Sequence, residues 1–373
     1  MASIVLDPTR TYEELVIGSS NILVEGNGAR VIGAEGAGAG VRATGISGVT
    51  LRNLRVHRFE TGLQLTDCST WLIEGCDLSD NFHDPTFGWG ENGRRGGLVL
   101  AGCRRCELRA NRANRVWDAC TLFESDDNLL NGNDFSHTSN TGLRLWQSSG
   151  NVIRGNNLSH GLRIAPGEVH ARDSCGLLVE HGSNRNVITA NDARYSGDGI
   201  FIRCLNGVPS SGNYLQGNDA SHAHNNCIEA LAPGNTFVAN VANHGSYGFW
   251  LGGSDGAILI DNEASHNGLT EGHHNAPEAS FGHGGIVFTG APARHVVLDG
   301  NHCEQNNGAG VAFRGRPGLN DVHHILLRNN VLRGNHFGLY LESASRIALD
   351  GNQFASNVRD IEHGGGVEGL YRF

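Results

Sequence analysis

The stretch Asn151-Val-Ile-Arg-Gly-Asn-Asn157 decides the fold, because it returns as Asn186-Val-Ile-Thr-Ala-Asn-Asp192, Asn213-Tyr-Leu-Gln-Gly-Asn-Asp219 and Asn235-Thr-Phe-Val-Ala-Asn-Val241. A second phrase follows the first around the chain: Gly142-Leu-Arg-Leu-Trp146, Gly199-Ile-Phe-Ile-Arg203, Gly248-Phe-Trp-Leu-Gly252 and Gly338-Leu-Tyr-Leu-Glu342. The Asn that closes the first phrase marks a register with a basic step of 22–23 residues: Asn53, Asn111, Asn133, Asn156, Asn191, Asn218, Asn240, Asn262, Asn301, Asn329 and Asn352, with Cys76 in the same place. Short alternating runs broken by Gly and Asn at a fixed period cannot be helices. They read as coils of two or three strands stacked at about 4.8 Å. The repeated Asn reads as an internal amide ladder at a tight corner, a structural rather than a catalytic feature.

The expected fold is therefore all-β: a right-handed parallel β-helix of about 12–13 coils. A chain of 373 residues exceeds an average domain. A solenoid escapes that limit because each coil packs only on its neighbours. The expected organisation is one domain over 1–373. Residues 1–44 form an N-terminal cap and first coil, 45–360 the repeats, and 361–373 a C-terminal cap that covers the last rung.

Composition narrows the partners. All 28 basic residues are arginine, so no lysine can serve as base, Schiff-base former or phosphate-loop residue. The formal net charge of −10 argues against nucleic acid, which needs a basic surface. The nine cysteines show no dense framework, which predicts free thiols. Cys103-Arg-Arg-Cys106 is a lone CxxC, and Cys68 and Cys103 align on successive coils as packed corner residues. No apolar run suggests a membrane span, and the first residues carry no charged-then-apolar leader. The expected location is cytoplasmic for the sequence as it stands, or secreted or periplasmic if a leader has been removed. Self-association into a homo-oligomer stays open.

The phrases resemble the parallel β-helix repeat superfamily over about residues 45–360. That group holds carbohydrate-binding and sugar-hydrolase repeat domains, alginate C5-epimerases and the copper-accessory proteins of nitrous oxide reductase. Leu122-Phe-Glu-Ser-Asp-Asp-Asn-Leu-Leu-Asn-Gly-Asn133 is similar to an epimerase coil, whereas the epimerases' Asp-Pro-His-Asp string is absent, the nearest being His83-Asp84-Pro85. The resemblance implies the fold, and beyond it a carbohydrate-active enzyme or a metal-accessory scaffold.

Insertions locate the working face. The ladder step lengthens between Cys76 and Asn111, Asn156 and Asn191, and Asn262 and Asn301. The extra residues, about 81–96, 161–175 and 267–284, leave one corner just before the Gly-apolar strand, with smaller extensions at 205–212 and 315–321 beyond it. Loops gathered on one face mark a binding groove, here floored by that sheet. By alternation, one outward column holds Gln64, Val99, Leu122, Arg144, Leu178, Phe201, Glu229 and Trp250. The next holds Thr66, Ala101, Glu124, Trp146, Glu180 and Arg203. Indoles, guanidiniums and carboxylates on one floor suit a sugar. The bland alternative is a solvated ladder of ion pairs.

Four residues after each ladder Asn runs a second column: His57, Asp80, Arg115, His137, His160, Tyr195, His222, His244, His266, Gln305, Arg333 and Ser356. Imidazoles there can act as bases or simply stack at a polar corner. The insertions add His83 and Trp89 in the first, Arg163, Glu168, His170, Arg172 and Asp173 in the second, and Glu271, His273, His274, Glu278 and His283 in the third. The third set could hold a divalent metal, though without a fixed ligand spacing; no cofactor is otherwise expected.

Proton abstraction at a uronate C5, of epimerase or lyase type, would take His222 or His170 as base, Tyr195 as acid, and Arg144 and Arg203 against the carboxylate. Glycoside hydrolysis would pair carboxylates among Glu124, Glu180, Glu229 and Asp198. A non-enzymatic metal-accessory or scaffold role would rest on the histidines. A biosynthetic enzyme on a small-molecule substrate is a further alternative. The expected substrate-binding residues are Arg144, Arg203, Trp146, Trp250, Glu124, His83, Trp89 and Arg172.

Overall fold

A computed structural model describes residues 2–34, 36–84, 95–164, 171, 173–268 and 275–373. Its coils fall into two stretches, residues 1–168 with 172–192, and 193–373 with 169–171. In both, every strand-to-strand ladder is parallel, as in β-helical stacking. In the first stretch a ladder sheet runs in chain order from Ala2–Val5 to Val187–Thr189, and a floor sheet from Leu15–Val16 to Cys175–Glu180. In the second the ladder sheet runs from Tyr214–Gln216 to Glu368–Arg372, and the floor sheet from Asp198–Ile202 to Arg359–Gly365. Short strands such as Arg30–Ile32 and Arg55–His57, and single bridges such as Asp134 to Asn157, make the third side. Residues 361–373 add another rung: Phe337–Glu342 pairs with Arg359–Gly365, and Ser345–Asp350 with Glu368–Arg372. Among the described residues no helix is long and apolar enough to cross a membrane.

Each coil closes on apolar side chains stacked rung on rung. Leu130, Ile153 and Ile188 are fully buried at the centres of successive ladder strands, as are Leu143 and Leu145 of a floor strand. All nine cysteines are unbridged and all but Cys204 are buried, Cys68 and Cys103 included.

The amide ladder is the main polar element of the core. Asn133 Nδ2 donates to Asn156 Oδ1 (2.9 Å) and to the Leu108 carbonyl (3.0 Å), while its own Oδ1 accepts from the main-chain N and Nδ2 of Asn111 (both 3.0 Å). The motif recurs through Asn191 and, in the second stretch, from Asn218 to Asn301. Buried amides are tolerated because each has its partners. Two further ladders accompany it: one through Asn128, Asn151 and Asn186, with Asn213 and Asn235 in the second stretch, the other through Asn267, Asn306, Asn335 and Asn357.

The register differs from the sequence reading at two coils, by one residue each. Asn330, not Asn329, accepts from Asn301 and donates to Asn352. Buried Leu54, not Asn53, precedes Cys76 in the core. Asn53 and Asn329 instead occupy the left-handed corner (φ 55° each) that Gly75 and Gly132 fill on other coils. Asn suits both places, so an Asn doublet or a lone Asn is ambiguous. The corner column moves with them: Arg58 (φ 68°) and Gly334 take the places given to His57 and Arg333.

The rest of that column holds its register, and its members are left-handed: His137 (φ 57°), His160 (58°), Tyr195 (58°), His222 (61°), His244 (61°) and His266 (60°). His137 stacks on His160 at 4.5 Å and 7°. Tyr195, His222, His244 and His266 form a continuous stack at 4.7–5.1 Å. Burial, then the neighbouring imidazoles His222 and His266, lowers the pKa of His244 below its ordinary 6.5. The folded state therefore favours neutral His244: its contribution is complete above pH 6.5 and is lost as pH falls through the lowered value. Urea midpoints should drop between about pH 7.5 and about pH 5.5, and His244→Asn, which keeps the left-handed corner, should flatten that drop.

Candidate active site on the floor sheet

Strand Thr141–Trp146 buries Leu143 and Leu145 and turns Arg144 and Trp146 outward, as alternation requires. The next strand, Cys175–Glu180, pairs Arg144 with Leu178 and Trp146 with Glu180. On the previous coil, Asp118–Phe123 pairs Thr121 with Arg144 and Phe123 with Trp146. The outward residues of that coil are thus Thr121 and Phe123, which corrects the placing of Leu122 and Glu124 on the floor. Leu122 is in the core, and Glu124 is exposed in the turn after the strand (φ 47°). The slip arises because Ala119 stands where the neighbouring coils carry Gly97 and Gly142, and one residue of shift exchanges the two faces.

The floor here is not a solvated ion-pair ladder. Arg144 is 4% exposed and Glu180 fully buried, and Arg144 Nε donates to Glu180 Oε1 at 2.6 Å. The Arg144 guanidinium also lies 5.3 Å from the Trp146 ring centre and 5.9 Å from that of Phe123. Arg95, at the end of the first insertion, also lies over the Phe123 ring (5.3 Å) and reaches Asp118 Oδ2 at 3.2 Å. Asp118 is completely buried; its Oδ1 accepts from Asn140 Nδ2 at 2.6 Å. Asn140 Oδ1 accepts from Arg163 Nη1 (3.1 Å), and buried Arg163 donates to the Asp173 carbonyl (2.8 Å) and lies over Trp117 (4.7 Å). The bases of two insertions are thereby tied to one outward cluster.

Burial pushes the Asp118 carboxyl above its ordinary range, against the pull of Arg95 and Arg144. Desolvation lowers Arg95, which Asp118 opposes. Arg95 and Arg144 thus set two guanidiniums, the groups that pair with a carboxylate, beside the Asp118 and Glu180 carboxyls. Beside them, Thr121 Oγ1 is buried with no hydrogen-bond partner in the protein.

The second stretch has its own cluster. Asp198 Oδ1 accepts from the main-chain N of Asn226 (3.0 Å), whose Nδ2 donates to Glu229 Oε2 (2.7 Å). Asn275 donates to Asn226 Oδ1 (2.9 Å). Glu229 pairs in register with half-buried Trp250, which packs edge-on to Tyr247 (4.6 Å). Beyond Trp250 the floor is closed rather than open. Phe281 of the third insertion packs with Tyr247, Val287, Ala312 and Tyr340 in one buried cluster, and Glu278 grips Arg314 through both oxygens at 2.7 and 2.9 Å.

Of the residues singled out from sequence, Arg144, Glu180 and Trp146 meet in the first cluster, and Asp198, Glu229 and Trp250 line the second. Arg203 is half-buried just past its strand. Tyr195 and His222 belong to the corner stack. His83 is exposed at the base of the first insertion. His283 is buried, its Nε2 2.9 Å from the Asn275 carbonyl and its ring against Tyr247. Trp89, His170, Arg172, His273 and His274 lie outside the described residues. Asp118, Thr121 and Asn140 escaped the sequence reading. Asp118 and Asp198 share one signal, a polar residue just before the Gly-apolar phrase.

A parallel solenoid with polar clusters on one outward sheet defines a class of repeat architecture. The chain belongs to the right-handed β-helix family: the family model described as right handed beta helix region matches residues 39–215 and 204–369. No curated protein matches it in sequence. Among solved structures it is similar to the Dettilon tailspike protein (14% identity, TM-score 0.53, covering 91% of this chain and 61% of that one). It is similar also to the catalytic domain of a GH87 α-1,3-glucanase in complex with tetrasaccharides (12%, TM-score 0.52, 98% and 64%). A third is the Azotobacter vinelandii mannuronan C-5 epimerase AlgE4 A-module (12%, TM-score 0.47, 99% and 88%). At these identities the likeness is one of fold.

Proposed function

We propose that this protein is a carbohydrate-active enzyme that binds an acidic sugar on its floor sheet and moves the proton on the carbon beside the sugar's carboxylate. The observation that carries this reading is the cluster of buried Arg144, Asp118 and Glu180 with half-buried Arg95 and Trp146. The two guanidiniums take the carboxylate, and they stabilise the charge that spreads onto it when the neighbouring C–H is broken. Asp118 is the proton-transfer group: burial raises its pKa and so makes its carboxylate a stronger base. The Trp146 indole offers a face to the sugar ring.

Asp118→Asn is expected to lower kcat on acidic oligosaccharides by about 10²–10⁴-fold with little change in KM. Arg95→Gln should raise KM for acidic sugars. Steady-state kinetics on acidic oligosaccharides checks this, and full turnover by Asp118→Asn would remove Asp118 from the chemistry.

A second reading, hydrolysis by paired carboxylates, is favoured by one observation: Asn226 holds both Asp198 and Glu229. Under it, Glu229→Gln abolishes glycosidic cleavage and Asp118→Asn does not.

A further inference from the structure

Away from both clusters, three imidazoles converge where strands Ala293–Asp299 and Val322–Arg328 of the ladder sheet lie side by side. The pairs Arg294 with His323 and Val296 with Ile325 leave His295 and His324 at equivalent places one rung apart. Both are left-handed (φ 57° and 56°) and stack at 4.8 Å and 13°, like the corner column. His323 is different. In a regular strand it would face away from His324. The left-handed turn brings it edge-on to both partners, at 78° to His324 and 88° to His295. Its Nδ1 stands 2.6 Å from Nδ1 of His324. One ring nitrogen from each of the three lies within 4.8 Å of the others.

Two imidazole lone pairs at that separation repel unless a proton or a cation is shared between them. Three neutral nitrogens from two coils match the ligand preference of zinc, copper and nickel. With metal–nitrogen bonds of about 2.0–2.1 Å, tetrahedral ligands sit about 3.3 Å apart, a spacing side-chain rotation reaches from here. Nearby charge does not forbid it: Arg294 is bound by Asp255, whose carboxylate also acts on His323, and Arg346 is exposed and screened.

We infer that His295, His323 and His324 bind one divalent transition-metal ion of the zinc, copper or nickel class, clamping two successive coils and leaving a coordination position to solvent. The site is independent of the sugar chemistry proposed above.

The test uses the full chain stripped with a chelator. Zn2+ is titrated calorimetrically and by thermal unfolding, and Cu2+ is added for electron paramagnetic resonance. The expected result is one ion per chain at this site, a rise in Tm, and nitrogen hyperfine structure from three imidazoles. His323→Ala, which leaves both left-handed positions intact, should weaken binding at least tenfold and remove one nitrogen from the spectrum with circular dichroism unchanged. His324→Asn should do the same, and His244→Asn in the corner stack should leave binding unaltered. Unchanged affinity in His323→Ala, loss on His244→Asn, or no ion bound by the wild-type chain would each overturn the assignment.

Discussion

Glu180→Ala should destabilise the protein by about 3–5 kcal/mol, because it leaves the Arg144 guanidinium buried without its carboxylate. Glu180 is fully buried and the Arg144 side chain only 5% exposed, so water cannot replace the lost partner. The pair is not retained for its attraction alone, since desolvating two ions offsets most of that gain. The asymmetry makes the effect large: removing one ion strands the other. Glu180→Gln, which keeps an acceptor for Arg144 Nε, should cost less, and Arg144→Met combined with Glu180→Met should recover part of the loss. Urea denaturation of Glu180→Ala and Glu180→Gln, and of wild type, Arg144→Met, Glu180→Met and their double read as a double-mutant cycle, checks this. A loss below about 1 kcal/mol, the range of exposed pairs, would mean that the cluster is wet and the guanidinium free to leave it.

Asn133→Ala should be of similar size, on the order of 3–5 kcal/mol, from more than one stranded buried group at about 1–3 kcal/mol each. The change leaves the Leu108 carbonyl without its amide donor and takes from Asn111 the acceptor for both its main-chain N and its Nδ2. Asn330→Ala should behave likewise, having the same ladder bonds. Asn329→Ala is the control. It meets the penalty of a left-handed alanine, about 1–2 kcal/mol, and loses only an exposed hydrogen bond from Nδ2 to Asp299 Oδ1 (3.2 Å), and Asn329→Gly should be milder. Thermal or urea unfolding of these variants separates the ladder from the corner, one residue apart. Equal losses at Asn329 and Asn330 would contradict the register.

That pair shows how far the chain can be read. The period, the inward leucines, the corner histidines and the corner from which the insertions leave were all legible, because each repeats a pattern with a physical cause on many coils. Errors fell where the pattern offered two equivalent choices. Asn329-Asn330 is a doublet of a residue suited to both ladder and corner. Coil 118–123 lacks the Gly that anchors its neighbours, so alternation alone could not say whether Thr121 or Leu122 faces out. The site was half visible for a related reason. Arg144, Glu180 and Trp146 lie on the repeat and follow from alternation. The contacts of Arg95 with Asp118 and of Arg163 with Asn140 depend on where insertions fold back, which no periodicity encodes. The same holds for Phe281, whose segment closes part of the floor that alternation alone leaves open.

The most direct test of the proposed chemistry is proton NMR of the protein with acidic and neutral oligosaccharides in D2O. The account predicts that deuterium enters an acidic sugar at the carbon beside its carboxylate, with inversion or with a new unsaturated end, and that Asp118→Asn abolishes the exchange while circular dichroism is unchanged. Cleavage of a glycosidic bond without exchange at that carbon would contradict it and move the chemistry to Asp198 and Glu229.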